Sequence, residues 1–549
     1  TEYTDPNNSV WRHNGTGWVR QCDCPDGGDG GLDPNDSFWA ETSLLLDGDT
    51  GPNGANNNYF ADSSGNDHSI TARGVVAQGS LSPYLDEDFA TDITVSGGSA
   101  YFSGIDGDQE NHLDLDAARI PATGNFTFET WVKADPQSGS NGTVISQYLN
   151  SQAGRFIFAI GRSDHGSAPN TLLISATFLN LYGTKVVADN TWHHVALERS
   201  GNAWNIYVDG VLDVSGNASG SVYTGRNTRI GNAINTAGGN NPLNGYVSDC
   251  RLTTSAIYGG NSYAVPSEPV TALPTTSILL NFQDAGIYDR TGKNNLITAG
   301  NAQIDTTEKR YGTGSIKFDG ASSNLQGPVT SLFNFGSDDW TVEFWTNLSA
   351  INKFNSFLCF GSDTKSGIFF DADSSNQLRL LAHIGGSWDV VATGATNLLQ
   401  DTWYHVAFVR SGNSFKIYIN GIEDGAGTNS GSVTDPTSDI DALLRVGFQR
   451  TAGGQSRYLT GLIDDLRITK GVARYIANFP PPPMLLPNTK ALLAEREKQM
   501  ALTRGEVIDE TPDPKYIPYT PTETPDPIVE IDNSGNDIDF SNDVTTEES

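Results

Sequence analysis

Methionine and cysteine are nearly absent from this chain, whose 549 residues include two methionines and four cysteines. So few cysteines exclude the disulfide framework that stabilises many small secreted domains. Cys250 and Cys359 lie within strand-like apolar runs, and we expect both to be buried thiols. Cys22 and Cys24 form a Cys-x-Cys near the start of the sequence. No second cysteine pair or histidine pair accompanies them, so a zinc site is not expected there.

Basic residues are scarce as well. Lys and Arg total 33 against 65 Asp and Glu, so the formal net charge is −32. A surface this acidic repels nucleic acids and anionic lipids, and we expect neither as a partner. The same charge supplies many carboxylates for divalent cations.

Long apolar runs are also missing. No segment has the uninterrupted apolar length of a membrane-spanning helix, so no membrane span is expected. The first residues carry neither the positive charge nor the apolar core of a signal peptide, although a mature chain could have lost one. The abundance of Gly, Asn, Ser and Thr instead favours an all-β globular protein with many turns.

One motif occurs twice in the sequence. The first copy, TWHHVALERSGN, spans residues 191–202, and the second, TWYHVAFVRSGN, spans residues 402–413. Each copy follows a Glu-x-Trp pattern and precedes a short alternating run that ends in Asp-Gly or Asn-Gly, a strong hairpin signal. The chain therefore contains two versions of one domain in tandem.

Within the repeats, apolar residues recur at every second position, which is the period of a β-strand. Phe126, Phe128 and Val132 share one face of a predicted strand, whereas Glu129 and Trp131 share the other. Many short strands with Gly and Asn turns, in repeats of about 200 residues, predict two jelly-roll sandwiches. The expected fold class is therefore all-β.

The sequence divides into four predicted parts. Residues 1–38 form an N-terminal attachment segment with an Asn-Gly hairpin signal. Residues 39–268 form the first jelly roll, and residues 275–480 form the second, with a proline-rich joint between them. Residues 484–549 form a tail in which a short helix at 490–504 precedes an extended acidic stretch rich in proline.

Several pieces match between the repeats in the same order. SLLLD at 43–47 matches SILLN at 277–281, and GYVSDCRL at 245–252 matches GLIDDLRI at 461–468. Together with the doubled motif, these pieces resemble the laminin-G-like, concanavalin A-like jelly-roll domain. The resemblance implies the fold but leaves function open, because the family includes glycan-binding modules, adhesins, enzyme accessory domains and phage structural proteins.

Four aspartates at matching places are candidate calcium ligands. Asp62 and Asp289 begin Asp-x-x-Gly turns, and Asp249 and Asp465 lie near the end of each repeat. The family resemblance implies that such residues can meet at one edge of the sandwich, where oxygen ligands suit Ca²⁺. The alternative is that each aspartate caps its own turn.

Catalytic residues are not predicted. A glycosidase needs paired carboxylates, but Glu129 and Glu343 are single carboxylates on their strands. We expect both to be structural, with Arg199 and Arg410 as guessed partners.

The histidines of the doubled motif do not suggest catalysis either. His193, His194 and His405 have no accompanying nucleophile elbow, so we expect them to be structural. The chain is therefore predicted to be no enzyme.

Exposed aromatic rings are the side chains that a glycan site would need. Trp388, Tyr182, Tyr258 and Tyr458 are possible members of such a site. Buried core positions are the commoner place for such rings.

We expect a non-enzymatic structural protein of a bacteriophage virion that displays two lectin-like jelly rolls for adhesion or for binding host-cell glycans. Other virion proteins would contact residues 1–38 and 484–549, and the copies would form a symmetric homo-oligomer. The N-terminal piece resembles Asn-Gly-x-x-Trp-Val hairpins that are common near the start of phage fibre and tail proteins. The alternatives are a secreted bacterial carbohydrate-binding or adhesion protein and, more weakly, a polysaccharide-degrading enzyme.

Overall fold

The computed structural model describes most of the chain between residues 38 and 482, together with three strands before it. The described residues are 2–4, 10–13, 18–21, 38, 41–74, 76–84, 97–104, 111–148, 155–233, 241–287, 289–328, 331–361, 366–435, 443–450 and 456–482. The predicted helix at 490–504, the acidic tail and the Cys22–Cys24 pair lie outside these residues. Within the described part, no helix is long and apolar enough to cross a membrane.

A small antiparallel sheet lies at the start of the chain. It consists of β1 (Glu2–Thr4), β2 (Val10–His13) and β3 (Trp18–Gln21), in the order β1-β2-β3. His13 is opposite Trp18, so β2 and β3 pair across the predicted Asn-Gly turn. The predicted N-terminal hairpin is confirmed.

Strands β4 to β18 follow in the first repeat. They are β4 (Thr42–Leu46), β5 (Ile70–Arg73), β6 (Val76–Gly79), β7 (Ser99–Ser103), β8 (His112–Leu115), β9 (Phe126–Ala134), β10 (Gly142–Gln147), β11 (Phe156–Ile160), β12 (Thr171–Ala176), β13 (Asn180–Val186), β14 (Trp192–Ser200), β15 (Ala203–Val208), β16 (Val211–Asn217), β17 (Arg229–Ile230) and β18 (Asn244–Thr253).

The second repeat contains strands β19 to β35 and one turn of 3₁₀ helix at Ser331–Phe333. The strands are β19 (Thr276–Leu280), β20 (Ile297–Ala299), β21 (Gln303–Asp305), β22 (Ser315–Asp319), β23 (Asn324–Pro328), β24 (Trp340–Leu348), β25 (Asn355–Gly361), β26 (Ile368–Ala372), β27 (Gln377–Ile384), β28 (Ser387–Asn397), β29 (Trp403–Ser411), β30 (Ser414–Ile419), β31 (Ile422–Thr428), β32 (Leu443–Val446), β33 (Phe448–Arg450), β34 (Ser456–Tyr458) and β35 (Thr460–Lys470).

These strands form two sandwiches, each built from a seven-stranded and an eight-stranded sheet. The first sandwich has the orders β13-β12-β11-β10-β17-β8-β5 and β16-β15-β14-β9-β18-β7-β6, with β19 added to β18. The second has β20-β23-β32-β25-β26-β27-β28 and β21-β22-β35-β24-β29-β30-β31, with β4 added to β35. The small β33-β34 hairpin lies beside the second seven-stranded sheet. The predicted all-β fold of two jelly-roll sandwiches is confirmed.

The predicted alternation of apolar residues along each strand determines which side chains are buried in the core of each sandwich. Phe126, Phe128 and Val132 are buried in the first core, whereas Glu129 and Trp131 lie on the opposite face of β9. Each fully buried large apolar side chain stabilises the fold by roughly 1.5–3 kcal/mol. Cys250 and Cys359 are buried, as predicted.

The doubled motif forms β14 and β29, each of which leads into a hairpin strand and then a tight turn. Asp209 and Gly210 have φ values of 50° and 73°, and Asn420 and Gly421 have 48° and 77°. Positive φ at both central positions is the signature of the type I′ hairpin turn, which Asp-Gly and Asn-Gly adopt at low cost. These predicted turns are confirmed.

The opening strand of each repeat completes the sandwich of the other repeat. β4 pairs with β35, and Leu44 and Leu46 are fully buried in the second core. β19 pairs with β18, and Ile278 and Leu280 are buried in the first core. The two sandwiches are therefore joined by an exchange of strands.

This exchange corrects the assignment of two strands to the predicted domains. The ranges 39–268 and 275–480 follow the sequence repeats and assign each opening strand to its own sandwich. The segments after these strands, 47–57 and 281–287, instead cross between the sandwiches side by side. Gly286 N–H donates to the carbonyl of Asn56 in this crossing. The rest of the four-part division stays a prediction.

Candidate functional site

Asp62 and Asp289, two of the predicted calcium ligands, hold the exchanged strands. Asp62 accepts hydrogen bonds from the backbone N–H groups of Leu279 at 3.1 Å and of Ser64 within its own turn. Asp289 accepts one from Leu45 N–H at 3.0 Å and others from its own turn. Burial raises the pKa of Asp289. Both carboxyl groups therefore cap a turn and fix a strand from the other repeat.

Asp249 and Asp465, the other two predicted ligands, occupy irregularities in β18 and β35. Each has a φ of 50°, where the pairing register of its strand shifts. Asp249 accepts hydrogen bonds from Tyr84 Oη and Asn281 Nδ2. Among the described residues, no three His, Cys, Asp or Glu side chains form a group that could hold a metal ion. The calcium site stays a prediction.

Glu129 is buried and ion-paired, but its partner is Arg251 and not the guessed Arg199. Arg251 lies directly opposite Glu129 on β18 and donates to Glu129 Oε1 from Nε at 2.8 Å and from Nη2 at 2.6 Å. Tyr258 Oη donates to the other carboxylate oxygen at 2.5 Å, and His194 Nε2 is 3.5 Å from it. The cluster lies on the outer face of the eight-stranded sheet.

The second sandwich repeats this cluster residue for residue. Arg467 donates to Glu343 Oε1 at 2.9 and 2.7 Å, Tyr475 Oη donates to Oε2 at 2.7 Å, and His405 Nε2 is 3.3 Å from Oε2. Burial alone would raise the pKa of Glu343, but Arg467 and His405 hold it well below its usual range. Glu343 is therefore a buried carboxylate fixed by its neighbours.

The guessed partners, Arg199 and Arg410, lie on the other face of their strands. Arg199 donates to the carbonyls of Gly201 and Gly220 and lies over the Trp204 ring at 4.9 Å. Arg410 makes the equivalent bonds in the second sandwich. Strand alternation explains the error, because residue 199 shares the core-facing side of β14 with Leu197.

Two of the motif histidines, His194 and His405, are enclosed by aromatic rings, whereas His193 is partly exposed and its Nδ1 lies 2.9 Å from Asp209 Oδ2. His194 is 1% exposed and its Nδ1 is 2.8 Å from Tyr263 Oη. Burial lowers its pKa to about 3. Tyr258 and Tyr263 stack at 3.8 Å over the cluster, and Tyr475 and Phe479 do the same at 3.5 Å in the second sandwich. A substrate cannot reach His194 or His405.

A different surface carries polar groups that a ligand can reach. In β26 and β27, Phe370 and Leu380 point into the second core, so Asp371 and Arg379 lie on the outer face of the seven-stranded sheet. We call this surface the arginine–aromatic face. Its members are Phe354, Phe369, Asp371, Arg379, Trp388, Arg445, Phe448, Arg457 and Tyr458.

Arg379 and Arg457 flank one ring and share one carboxylate. Arg379 binds Asp371 through Nε at 2.9 Å and Nη2 at 2.7 Å, and Arg457 Nη1 is 3.4 Å from the same carboxylate. The guanidinium carbons lie 5.1 and 3.7 Å from the centroid of Phe354, within cation–π range. The two arginine side chains remain 18% and 19% exposed. A ligand can therefore reach guanidinium groups that are already held in place.

Aromatic rings border these arginines. Phe369 and Trp388 stack at 4.2 Å with an interplanar angle of 24°. Phe448 and Tyr458 lie 4.6 Å apart, and Arg445 lies over Phe448 at 5.8 Å. Two of the sequence-predicted aromatic candidates, Trp388 and Tyr458, are thus on this face.

Several buried hydrogen-bonding atoms in or next to this face have no protein partner among the described residues. They are Ser356 Oγ, Trp388 Nε1, Gln449 Oε1 and Arg457 Nε. Ser356 lies opposite Asp371 in the sheet, and Gln449 lies opposite Arg457 in the β33-β34 hairpin. Buried polar atoms normally find a partner, so water or a ligand is expected to supply one here.

The first sandwich is apolar at the positions equivalent to Asp371 and Arg379. Ala159 lies opposite Leu173 where the second sandwich has Asp371 opposite Arg379. This apolar cluster consists of Ile157, Ala159, Ala168, Leu173 and Ala233. The two copies therefore share a fold but differ at this face.

Sequence reasoning missed the arginines of this face. Residues 445–467 align without a gap to 229–251, which places Arg457 against Asn241. Arg379 and Arg457, with the uncharged Leu173 and Asn241 at the matching positions, were the available signal, whereas Arg445 matches Arg229. The other two aromatic candidates lie elsewhere, since Tyr258 covers the Glu129 cluster and Tyr182 is exposed on the first sandwich.

Comparisons with known proteins support the fold. The family model described as the concanavalin A-like lectin/glucanases superfamily matches residues 106–258 and 319–473. Those two ranges make up more than half of the chain. No curated protein sequence matches the chain significantly.

Solved structures are similar at low sequence identity. Domains LG4-5 of the mouse laminin alpha1 chain are 12% identical, with 74% of this chain and 97% of that chain covered and a TM-score of 0.26. Domain 4 of AbnA, a GH43 extracellular arabinanase from Geobacillus stearothermophilus in complex with arabinotriose, is 21% identical, with 34% and 87% covered and a TM-score of 0.26. The CBM40 of the Ruminococcus gnavus IT-sialidase is 9% identical, with 25% and 78% covered and a TM-score of 0.22. Scores this low carry no conclusion about function.

Proposed function

Because this chain belongs to the concanavalin A-like lectin/glucanases superfamily, we propose that it is a non-enzymatic glycan-binding protein whose second sandwich binds an anionic polysaccharide at the arginine–aromatic face. The observation that carries the proposal is the pair Arg379 and Arg457, oriented by Asp371 and flanking Phe354. The face carries three arginines, Arg379, Arg445 and Arg457, in a chain whose net charge is −32.

The chemistry of these groups suits sulfate or carboxylate substituents on a sugar. A guanidinium presents its donors in a planar fork that matches the two oxygens of such an anion. The Arg379 and Arg457 side chains are 18% and 19% exposed, so part of each remains accessible to an incoming acceptor. Trp388 and Tyr458 add apolar surface and polar tips of the kind that line ligand sites.

The acidic chain makes this local positive charge necessary. A polyanion approaching a molecule of net charge −32 is repelled at long range, and the repulsion is screened over about 8–10 Å at physiological salt. Binding therefore needs direct contact with fixed cations. The partial pairing of Arg379 and Arg457 with Asp371 keeps both guanidinium groups ordered at the surface.

An enzymatic role is not supported by the described carboxylates. Glycoside hydrolysis uses two carboxyl groups on opposite sides of one bond. Asp371 is 0% exposed and bound to arginine, and Glu129 and Glu343 are covered by stacked rings. We therefore propose recognition without bond cleavage.

The setting we propose is the surface of a bacteriophage virion, where the jelly rolls adhere to host glycans. The support is the N-terminal hairpin at Val10–Gln21, which lies in the predicted attachment segment 1–38. Residues 484–549 would supply a second attachment segment. Capsid and tail genes beside the gene for this chain support the setting, whereas a secretion system there would favour a secreted adhesion protein.

A panel of immobilised sulfated, uronic-acid-containing and neutral polysaccharides tests the binding proposal. The full chain is expected to bind sulfated or carboxylated members at low salt, to bind them more weakly as NaCl is raised, and to leave the neutral members unbound. Measuring reducing ends in the same samples should show no cleavage. Preference for neutral glycans, or binding to none of them, would contradict the proposal.

A further inference from the structure

The exchanged strands occupy equivalent grooves in the two sandwiches. In the second sandwich, Leu46 lies opposite Leu466 and Thr42 lies opposite Thr469. In the first, Leu280 and Thr276 take the same places along β18. Each groove therefore accepts a strand with the pattern Thr-Ser-aliphatic-Leu-Leu in the same register.

The two grooves also bind the strand backbone in the same way. Asp289 accepts from Leu45 N–H, and Arg290 N–H donates to the Leu45 carbonyl at 2.8 Å. In the first sandwich, Asp62 accepts from Leu279 N–H, while Ser63 N–H donates to the Leu279 carbonyl at 2.8 Å. This is recognition by strand addition, in which main-chain bonds hold the strand and pockets for its side chains give specificity.

The two strands differ in how the chain brings them to their grooves. β19 follows β18 after the connection 254–275, so the first groove is filled by the next stretch of chain. β4 precedes β35 by more than 400 residues and reaches it only through the crossing segment 47–57. That segment reads DGDTGPNGANN, with three glycines and one proline. Gly54 has a φ of 84°, which a residue with a side chain rarely adopts.

We propose that the groove along β35 also accepts β4 from a second copy of this chain, so that two chains exchange β4 strands and form a dimer. Every contact of β4 is then kept, whereas segment 47–57, which bonds to the second sandwich through Gly54 N–H to the Ile304 carbonyl and Asn57 Nδ2 to the Leu296 carbonyl, must take a new path. Exchange of an identical element between copies is a low-cost route to dimers because the contacts of that element are kept. The second copy is the matching occupant because its β4 carries the leucines and the Leu45 backbone groups that this groove binds.

The balance between closed monomer and exchanged dimer depends on chain concentration. Within one chain, segment 47–57 sets the effective concentration of β4 at its own groove. A second chain competes more successfully as protein concentration rises. The exchange does not depend on glycan binding, although a dimer would present two arginine–aromatic faces to one polymer.

A disulfide formed across the groove shows whether the β4 strand bound there belongs to the same chain or to a second copy. The variant Thr42→Cys with Thr469→Cys, made in a background with Cys22→Ser and Cys24→Ser, places two thiols at paired positions of β4 and β35. The matched control is Thr253→Cys with Thr276→Cys, at the same register between β18 and β19. Both proteins are unfolded, refolded over a range of concentrations, oxidised and run on non-reducing gels.

The expected result is a disulfide-linked dimer for the 42–469 pair whose share rises with refolding concentration, while the control stays an internally linked monomer throughout. Light scattering on the unmodified chain refolded at the highest concentration should show the same dimer. An internally linked monomer for the 42–469 pair at every concentration would overturn the proposal. So would failure of the 42–469 pair to form any disulfide, because β4 would then not lie along β35.

Discussion

Replacement of Leu46 by Ala is expected to destabilise the second sandwich, although Leu46 belongs to the first sequence repeat. Leu46 is 0% exposed and packs in the core that also contains Leu466 and Ile468. Buried Leu→Ala substitutions cost about 2–5 kcal/mol because they lose transfer free energy and leave a cavity. That loss is a large part of the roughly 5–15 kcal/mol by which a folded domain is stable.

Hydrogen–deuterium exchange read by mass spectrometry locates the effect. In the Leu46→Ala protein, amides of β24 and β35 should exchange faster, while those of β9 and β18 keep their protection. Leu280→Ala is the matched variant and should give the reverse pattern, since Leu280 packs in the first core. If Leu46→Ala deprotected β9 and β18 and spared β24 and β35, the strand exchange described above would be wrong.

Three further predictions concern folding, pH and metal. The fragment 59–283, which retains β19, should fold cooperatively by circular dichroism, whereas the fragment 59–268, which lacks both β4 and β19, should not; equal melting curves would contradict this. Glu343→Gln should reduce the free energy of unfolding by about 3–5 kcal/mol at neutral pH, because it leaves Arg467 buried without its charge partner. Since the pKa of Glu343 is lowered in the folded state, its contribution is present above the carboxyl's ordinary pKa and is lost as pH falls below it. The difference between wild type and variant in urea titrations should therefore shrink at acid pH, and a constant difference would refute the assignment. Bound calcium at the predicted aspartates should raise the Tm above that in chelator, and Asp249→Asn should remove the rise; equal Tm values would exclude the site.

The fold could be predicted from the sequence because local signals agree with one another. Period-two alternation, as at Phe126 and Phe128, sets which face of a strand is buried. The Asp-Gly and Asn-Gly pairs at 209–210 and 420–421 specify turns that need positive φ at both positions. Such signals act within about ten residues, and the structure confirms them.

The strand exchange could not be predicted, because the two grooves and the two strands are nearly the same. SLLLD at 43–47 and SILLN at 277–281 present the same apolar pattern, so either strand satisfies either groove. The choice depends on where the segments after each strand cross, and no local preference encodes that path. The similarity of the two repeats thus shows that the domain is duplicated, but for the same reason it does not show which sandwich each opening strand joins.

The partner of Glu129 and the arginine–aromatic face were missed for a related reason. Arg199 and Arg251 both have counterparts in the second repeat, and only the order of strands shows that Arg251 is opposite Glu129. Likewise, Arg379 and Arg457 are 78 positions apart in the sequence and meet only through Asp371 and Phe354. Non-local pairing, which a single sequence does not display, decides both sites.

The central claim is that the arginine–aromatic face binds an anionic glycan, and calorimetry tests it most directly. The affinity for a sulfated or carboxylated oligosaccharide is measured for the full chain, for Arg457→Ala and for the matched variant Asn241→Ala. Arg457→Ala is expected to raise the Kd at least tenfold, equivalent to about 1.4 kcal/mol. Asn241→Ala, at the same position of the first sandwich, should leave the Kd unchanged. An unchanged Kd for Arg457→Ala, or an equal loss in both variants, would contradict binding at the arginine–aromatic face.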